Sequence, residues 1–262
     1  MIKFTKAVSA TTLVIALAAC SNNTDTSNNT FENSDTYGSN SVSVMSDTIT
    51  ITEAELKGNP FVKPWETPYG VPPFDIIKDS HFMPAIKAGI LELRKEIDEI
   101  TLNNDLPSFE NTIVALDLAG SQLSKVSSTF GNITGTDTND TLRSLQGKVS
   151  PLLTREYNKI QFNEDLFARV KFVYESRDSL NLDEQDARLL ELTHRGFVRA
   201  GANLSLENKA RIAKINEELS SLTTEFGQNI LASTVGFKME ITNPEHLSGL
   251  SESFKASIKV GN

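Results

Sequence analysis

The chain has 262 residues, 39% of them hydrophobic, enough to bury a core once a leader is set aside. Its 34 acidic and 25 basic side chains give a formal charge of -9, which excludes the basic footprint that a phosphate backbone demands, and with it nucleic-acid binding. A single cysteine, Cys20, excludes an intramolecular disulfide framework, and three histidines, His81, His194 and His246, leave little material for metal or nucleophilic catalysis.

Residues 1–20 have the three parts of a secretory leader: a basic start at Lys3 and Lys6, an apolar run from Ala7 to Ala19, and small residues before Cys20. The run is too short to cross a bilayer, which takes about 20 apolar residues in a helix. Leu17-Ala18-Ala19-Cys20 resembles the bacterial lipobox, in which the thiol is acylated and the chain is cut just before it. Residues 1–20 are therefore read as a lipoprotein signal peptide, with Cys20 as the lipidation site. Ser21, where no Asp follows the cysteine, resembles the form sorted to the outer membrane, which implies a cell-envelope lipoprotein facing the periplasm. Residues 21–57 are read as a disordered polar spacer. From Ser21 to Ser46 there is no Lys or Arg, and such a segment buries too little apolar surface to offset its ordering entropy.

From Gly58 the prolines Pro60, Pro64, Pro68, Pro72 and Pro73 mark an irregular lead-in, because proline lacks the donor a helix interior requires. The pattern then turns helical. Between Ser80 and Asn103, with Ser80 as cap, Phe82, Ile86, Ile90, Leu93, Ile97 and Ile100 recur at helical steps. Ser108 opens a helix with Phe109, Ile113, Leu116, Leu123, Val126 and Phe130 on one face, ending near Gly131. Thr138 opens another with Leu142, Leu145, Val149 and Leu152, which Pro151 is expected to kink or split.

Asn163 precedes Leu166, Val170, Val173 and Tyr174, and Asp183 precedes Leu189, Leu190 and Phe197, with Gly201 as left-handed terminator. A long helix from Ser205 to about Ala232 is predicted to face Ile212, Ile215, Leu219, Leu222, Phe226 and Ile230 inward. After it Val235, Phe237, Met239 and Ile241 alternate with polar residues, which predicts a short strand over 235–241 ended by Pro244. The expected fold is all-α, an irregular multi-helix assembly without sequence repeats and with that one strand.

Catalytic chemistry is missing from this pattern. A zinc hydrolase needs converging ligands, most economically two histidines a helical turn apart with a glutamate between them. No His-Glu-x-x-His occurs, and the nearest approach is Glu191-Leu192-Thr193-His194, half of what a di-iron bundle requires. There is no Gly-x-Ser-x-Gly elbow and no glycine-rich phosphate loop. His81 and His246 read as residues in the first turns of helices. No catalytic or metal-ligating residue is assigned.

The wording of the helices is nonetheless specific. The blocks Asn59-Pro60-Phe61, Pro73-Phe74-Asp75, His81-Phe82-Met83-Pro84-Ala85, Pro107-Ser108-Phe109-Glu110-Asn111-Thr112-Ile113, Thr138-Asn139-Asp140, Leu166-Phe167-Ala168-Arg169-Val170, Arg195-Gly196-Phe197-Val198-Arg199-Ala200-Gly201 and Leu222-Thr223-Thr224-Glu225-Phe226 stand in order. Together they resemble the N-terminal part of the thimet-oligopeptidase-like zinc peptidases, most of all the bacterial peptidyl-dipeptidases, over about Asn59 to Phe254. The resemblance implies a helical molecule whose two halves flank a channel for short peptides, with zinc in the other half and release of C-terminal dipeptides. It also implies that residues 58–262 are the helical N-terminal domain of such an enzyme, truncated before the catalytic domain. The chain itself would then bind no zinc, would be inactive alone, and would act on short peptides only through the complete enzyme. A stand-alone helical lipoprotein that binds peptides or a protein partner is the alternative reading.

Overall fold

A computed structural model of the chain describes residues 48–259. The lead-in is anchored rather than loose. One helical turn, α1 (Glu53–Leu56), is closed by a capping box in which Thr52 and Glu55 exchange hydrogen bonds. A 3-10 turn at Pro60–Val62, capped by Asn59, drives Phe61 into full burial against Phe82 and Trp65. The Trp65 indole donates to the Pro60 carbonyl at 2.9 Å and lies beneath the Lys125 ammonium, and the Asn59 amide donates to the His81 carbonyl at 2.8 Å.

The central helix is α2 (Asp79–Thr101), and all six residues of its predicted apolar face are buried. Its cap is Lys78 rather than Ser80, because the His81 ring, one turn in, accepts the Lys78 backbone N–H at 3.0 Å. Pro84 is the sixth residue of the helix, past the first turn, and the helix continues through it although it supplies no N–H to the ladder.

The predicted helix from Ser108 is broken into three pieces. A π-helical stretch Phe109–Val114 is capped by Ser108, α3 (Ala115–Leu118) follows, and α4 (Ser121–Thr136) starts afresh. The break is at Gly120, which adopts φ 77° and donates its N–H to Glu96 at 2.7 Å. Spacing alone hides such a break, because one turn residue leaves the apolar phase nearly intact on either side.

Next comes α5 (Asp140–Gln161), capped by Asn139 and running through Pro151 as one helix that packs on α2 and α8. Then follow α6 (Glu164–Glu175), α7 (Glu184–Ala200) and the long α8 (Leu206–Gly236), each opened by a side-chain cap at Asn163, Asp183 or Ser205. Gly201 closes α7 at φ 105°, the left-handed terminator the sequence announces. A last short helix, α9 (Glu252–Ile258), completes the order.

α2 packs on α4, α5 and α6, α6 pairs with α7, and α5 carries α8. One core runs from Phe61 through Phe82, Ile86, Ile90, Leu123 and Val126 to Leu166, Val170, Leu190 and Phe197. Arg169 is buried beside it and donates to the carbonyls of Asn103 and Asp105 and to the Asn111 side chain, which ties the loop after α2 to α6.

The fold is all-α. The strand expected over 235–241 does not form among the described residues: Val235 lies within α8, and 237–243 has neither regular secondary structure nor a pairing partner. Alternation marks a backbone suited to a sheet, but a strand exists only where a second one supplies hydrogen bonds.

Candidate functional site

α8 is where the sequence reading and the fold part most sharply. It has 31 residues, about 46 Å at 1.5 Å per residue, and lies antiparallel along α5. The seam between them is polar. The Asn158 side chain donates to the Ala213 carbonyl and accepts from Asn216 at 2.8 Å, Arg155 meets Glu217 at 3.2 Å, and Gln228 donates to the Arg143 carbonyl and to Gln146. At the start of α8, buried Lys209 pairs with Glu164 at 3.0 Å.

The predicted inward residues are on the other side. Ile215, Leu219, Leu222, Phe226 and Ile230 are exposed, Leu222 at 54% and Phe226 at 66%, on a stripe roughly 140° round the helix from the α5 seam. Only Ile212 of the six expected residues turns partly inward. The spacing located a real apolar face, but nothing in the described residues covers it. Val235 in the last turn of α8, and Phe237 and Met239 just past its end, are exposed as well. A contiguous stripe of this size marks an interaction surface. Sequence reasoning missed the polar seam, although Asn216, Ser220, Thr224 and Gln228 recur at steps of four and signal a second packed face.

Leu222→Glu combined with Phe226→Glu is therefore expected to leave the melting of the isolated chain within about 0.5 kcal/mol per site, the range for surface substitutions, while reducing its self-association. An inward-facing stripe would instead lose several kcal/mol, and thermal melting with light scattering separates the two.

Buried charge lies one layer in. Glu156, 3% exposed, receives a two-pronged hydrogen bond from Arg94 at 2.6 and 2.7 Å and a third from Lys159 at 2.9 Å. Burial pushes its carboxyl upward, but the hydrogen bonds and charges of Arg94 and Lys159 outweigh that and hold it below its ordinary 4.5.

The histidines do not converge. His81 acts as a cap acceptor, and burial, with Lys78 nearby, lowers its pKa. His194 stacks on Tyr174 at 3.9 Å between ring centroids, with Phe167 also beside it and Arg177 over the Tyr174 ring. Burial lowers its pKa, Lys171 and Arg177 push the same way, and Glu175 opposes them. Glu191, its partner in the Glu-x-x-His spacing, faces Arg188 and Arg195 instead. His246 sits in a one-turn helix at Pro244–Leu247.

These donors do not fit a zinc ion: among the described residues no three His, Cys, Asp or Glu side chains come together. Cys20, the expected lipidation site, lies outside the described residues, as do the leader and most of the spacer. No helix among the described residues is long and apolar enough to cross a membrane.

Fold and site together define an all-helical module whose outermost helix is held by a polar seam and turns an apolar face outward. No protein-family model matches the chain. Curated relatives do. It is 40% identical to the dipeptidyl carboxypeptidase of Escherichia coli over 194 residues, which are 74% of this chain and 28% of that protein. It is 39% identical to the dipeptidyl carboxypeptidase of Salmonella typhimurium, over 75% of this chain and 29% of the relative. With the oligopeptidase A of Haemophilus influenzae it shares 27% over 70% of this chain and 27% of the relative. The chain belongs to the thimet-oligopeptidase-like peptidase family, with greater likeness to these dipeptidyl carboxypeptidases than to the oligopeptidase A. It spans less than a third of the length of these relatives.

Proposed function

We propose that this chain is the N-terminal, channel-forming portion of a zinc metallopeptidase of the peptidyl-dipeptidase kind, whose metal centre is supplied by polypeptide outside it. The observation that carries the reading is the outward apolar stripe of α8 on a chain related to dipeptidyl carboxypeptidases yet spanning 28% of one. In the complete enzyme these helices wall a channel that admits short peptides, and the zinc half releases dipeptides from their C-termini. By itself the chain supplies no ligand set and is expected to be inactive.

The same proposal includes the tether. Cys20 carries a lipid, the polar stretch from Ser21 to Ser46 acts as spacer ahead of the anchored α1, and the protein is held at the outer membrane on the periplasmic side. Labelling with a fatty-acid probe and membrane fractionation test this, with Cys20→Ser expected to abolish both the label and the membrane association.

Purified chain incubated with zinc is expected to hold no stoichiometric metal and to release no dipeptide from short peptides. Bound zinc together with unaided turnover overturns the assignment of the metal centre to other polypeptide. A monodisperse, cooperatively melting monomer that binds peptides without cutting them favours the stand-alone lipoprotein instead.

A further inference from the structure

The segment just after α8 combines features that α8 itself does not need. Phe237 has extended backbone at φ -70°, ψ 125°, and Phe237, Met239 and Ile241 alternate with Lys238 and Glu240. Proline first appears at 244, so every residue from 237 to 243 keeps its backbone N–H. Yet among the described residues no backbone N–H from Lys238 to Thr242 donates to a backbone carbonyl; the hydrogen-bonded turns resume with His246 to Asn243. Phe237 is 71% exposed and Met239 is 68% exposed. Such an unpaired edge, with its apolar side bare, is a template for strand addition.

We infer that residues 237–241 are an edge strand completed by a strand from polypeptide outside this chain, the portion that the dipeptidyl carboxypeptidases carry beyond the matched stretch. This rests on the reading of the chain as part of a longer peptidase. Three observations favour that occupant. The relatives have more than twice as much chain outside the match as inside it. The segment follows directly from the end of α8, whose own outward stripe is likewise uncovered among the described residues. Its polar side carries one Lys and one Glu, no charge block that would repel a pairing strand.

Hydrogen exchange tests this on two proteins: the chain as it stands, and a chimera in which it replaces the matched stretch of the Escherichia coli dipeptidyl carboxypeptidase. In the chain alone, the amides of 238–242 are expected to exchange at rates near those of unstructured peptide. In the chimera, alternate amides of the segment slow by roughly tenfold or more, as paired strand amides do. Met239→Pro, which removes a donor and bars pairing, should lose that protection and lower the chimera's melting temperature while leaving the isolated chain's melting unchanged.

Amides that stay unprotected in a folded chimera overturn the inference. So does protection already present in the isolated chain, which assigns the pairing to a second copy or to residues 1–47. Should the chimera not fold, the remaining portion of the relative is made separately and added to the chain, and absence of protection at saturation counts against the inference. Dipeptide release is read in parallel. Protection without turnover leaves the strand standing and sinks the peptidase reading, and turnover without protection does the reverse.

Discussion

Glu156→Gln is expected to lower the unfolding free energy by about 3 kcal/mol at neutral pH, the scale for removing one side of a buried ion pair. The substitution preserves shape but leaves the Arg94 guanidinium and the Lys159 ammonium without the carboxylate that both meet within 3 Å. Arg94 is partly exposed, so water recovers some of its solvation, and this keeps the loss near the lower end of that scale. The effect has a definite pH dependence. The folded-state pKa of Glu156 lies below 4.5, so the native state binds this proton less readily than the unfolded chain. Its contribution to stability is complete above the unfolded value and fades as pH falls through the folded one. Urea titrations at pH 7 and pH 3 should show the gap between wild type and E156Q narrowing at the acid end. An undiminished gap would mean that packing, not charge, sets the loss.

Two glycine substitutions are expected to have opposite signs. Gly89 lies where α2 crosses α4, and a Cβ built there stands 2.9 Å from the Leu123 Cα, which is backbone and cannot step aside. Gly89→Ala forces the helices apart, with an overpacking cost of up to about 3 kcal/mol against a helix-propensity gain of about 1. The net expected loss is about 2 kcal/mol. Gly131, inside α4 and exposed, has nothing within 4 Å of its would-be Cβ. There the same change should stabilise by about 0.5–1 kcal/mol, because only the backbone entropy of glycine is removed. Thermal melts of both variants read the contrast directly, and a loss at both positions would refute the close-crossing account.

The residues legible in advance were those whose role is set within a turn or two of chain. The caps at Asn163, Asp183 and Ser205 and the terminator Gly201 act on backbone groups a few residues away, so their types declare them. The buried face of α2 was legible for a related reason: it is apolar at every step and packed on three helices, so period and burial coincide. The resemblance blocks reached further, because they carried the family, which the curated relatives bear out.

Tertiary structure decided the rest. A helical period reveals that an apolar face exists, but which way it points depends on what lies opposite, and for α8 the neighbour is a polar seam on α5. Alternation over 237–241 likewise reveals a backbone fit for pairing, while a strand needs donors and acceptors from elsewhere in space. The break at Gly120 and the burial of Glu156 beside Arg94, 62 residues away in sequence, are of the same kind. Composition and spacing fix short-range hydrogen bonding and the apolar stripes; contacts between distant segments, which no local pattern encodes, determine which stripes become core and which remain a surface awaiting a partner.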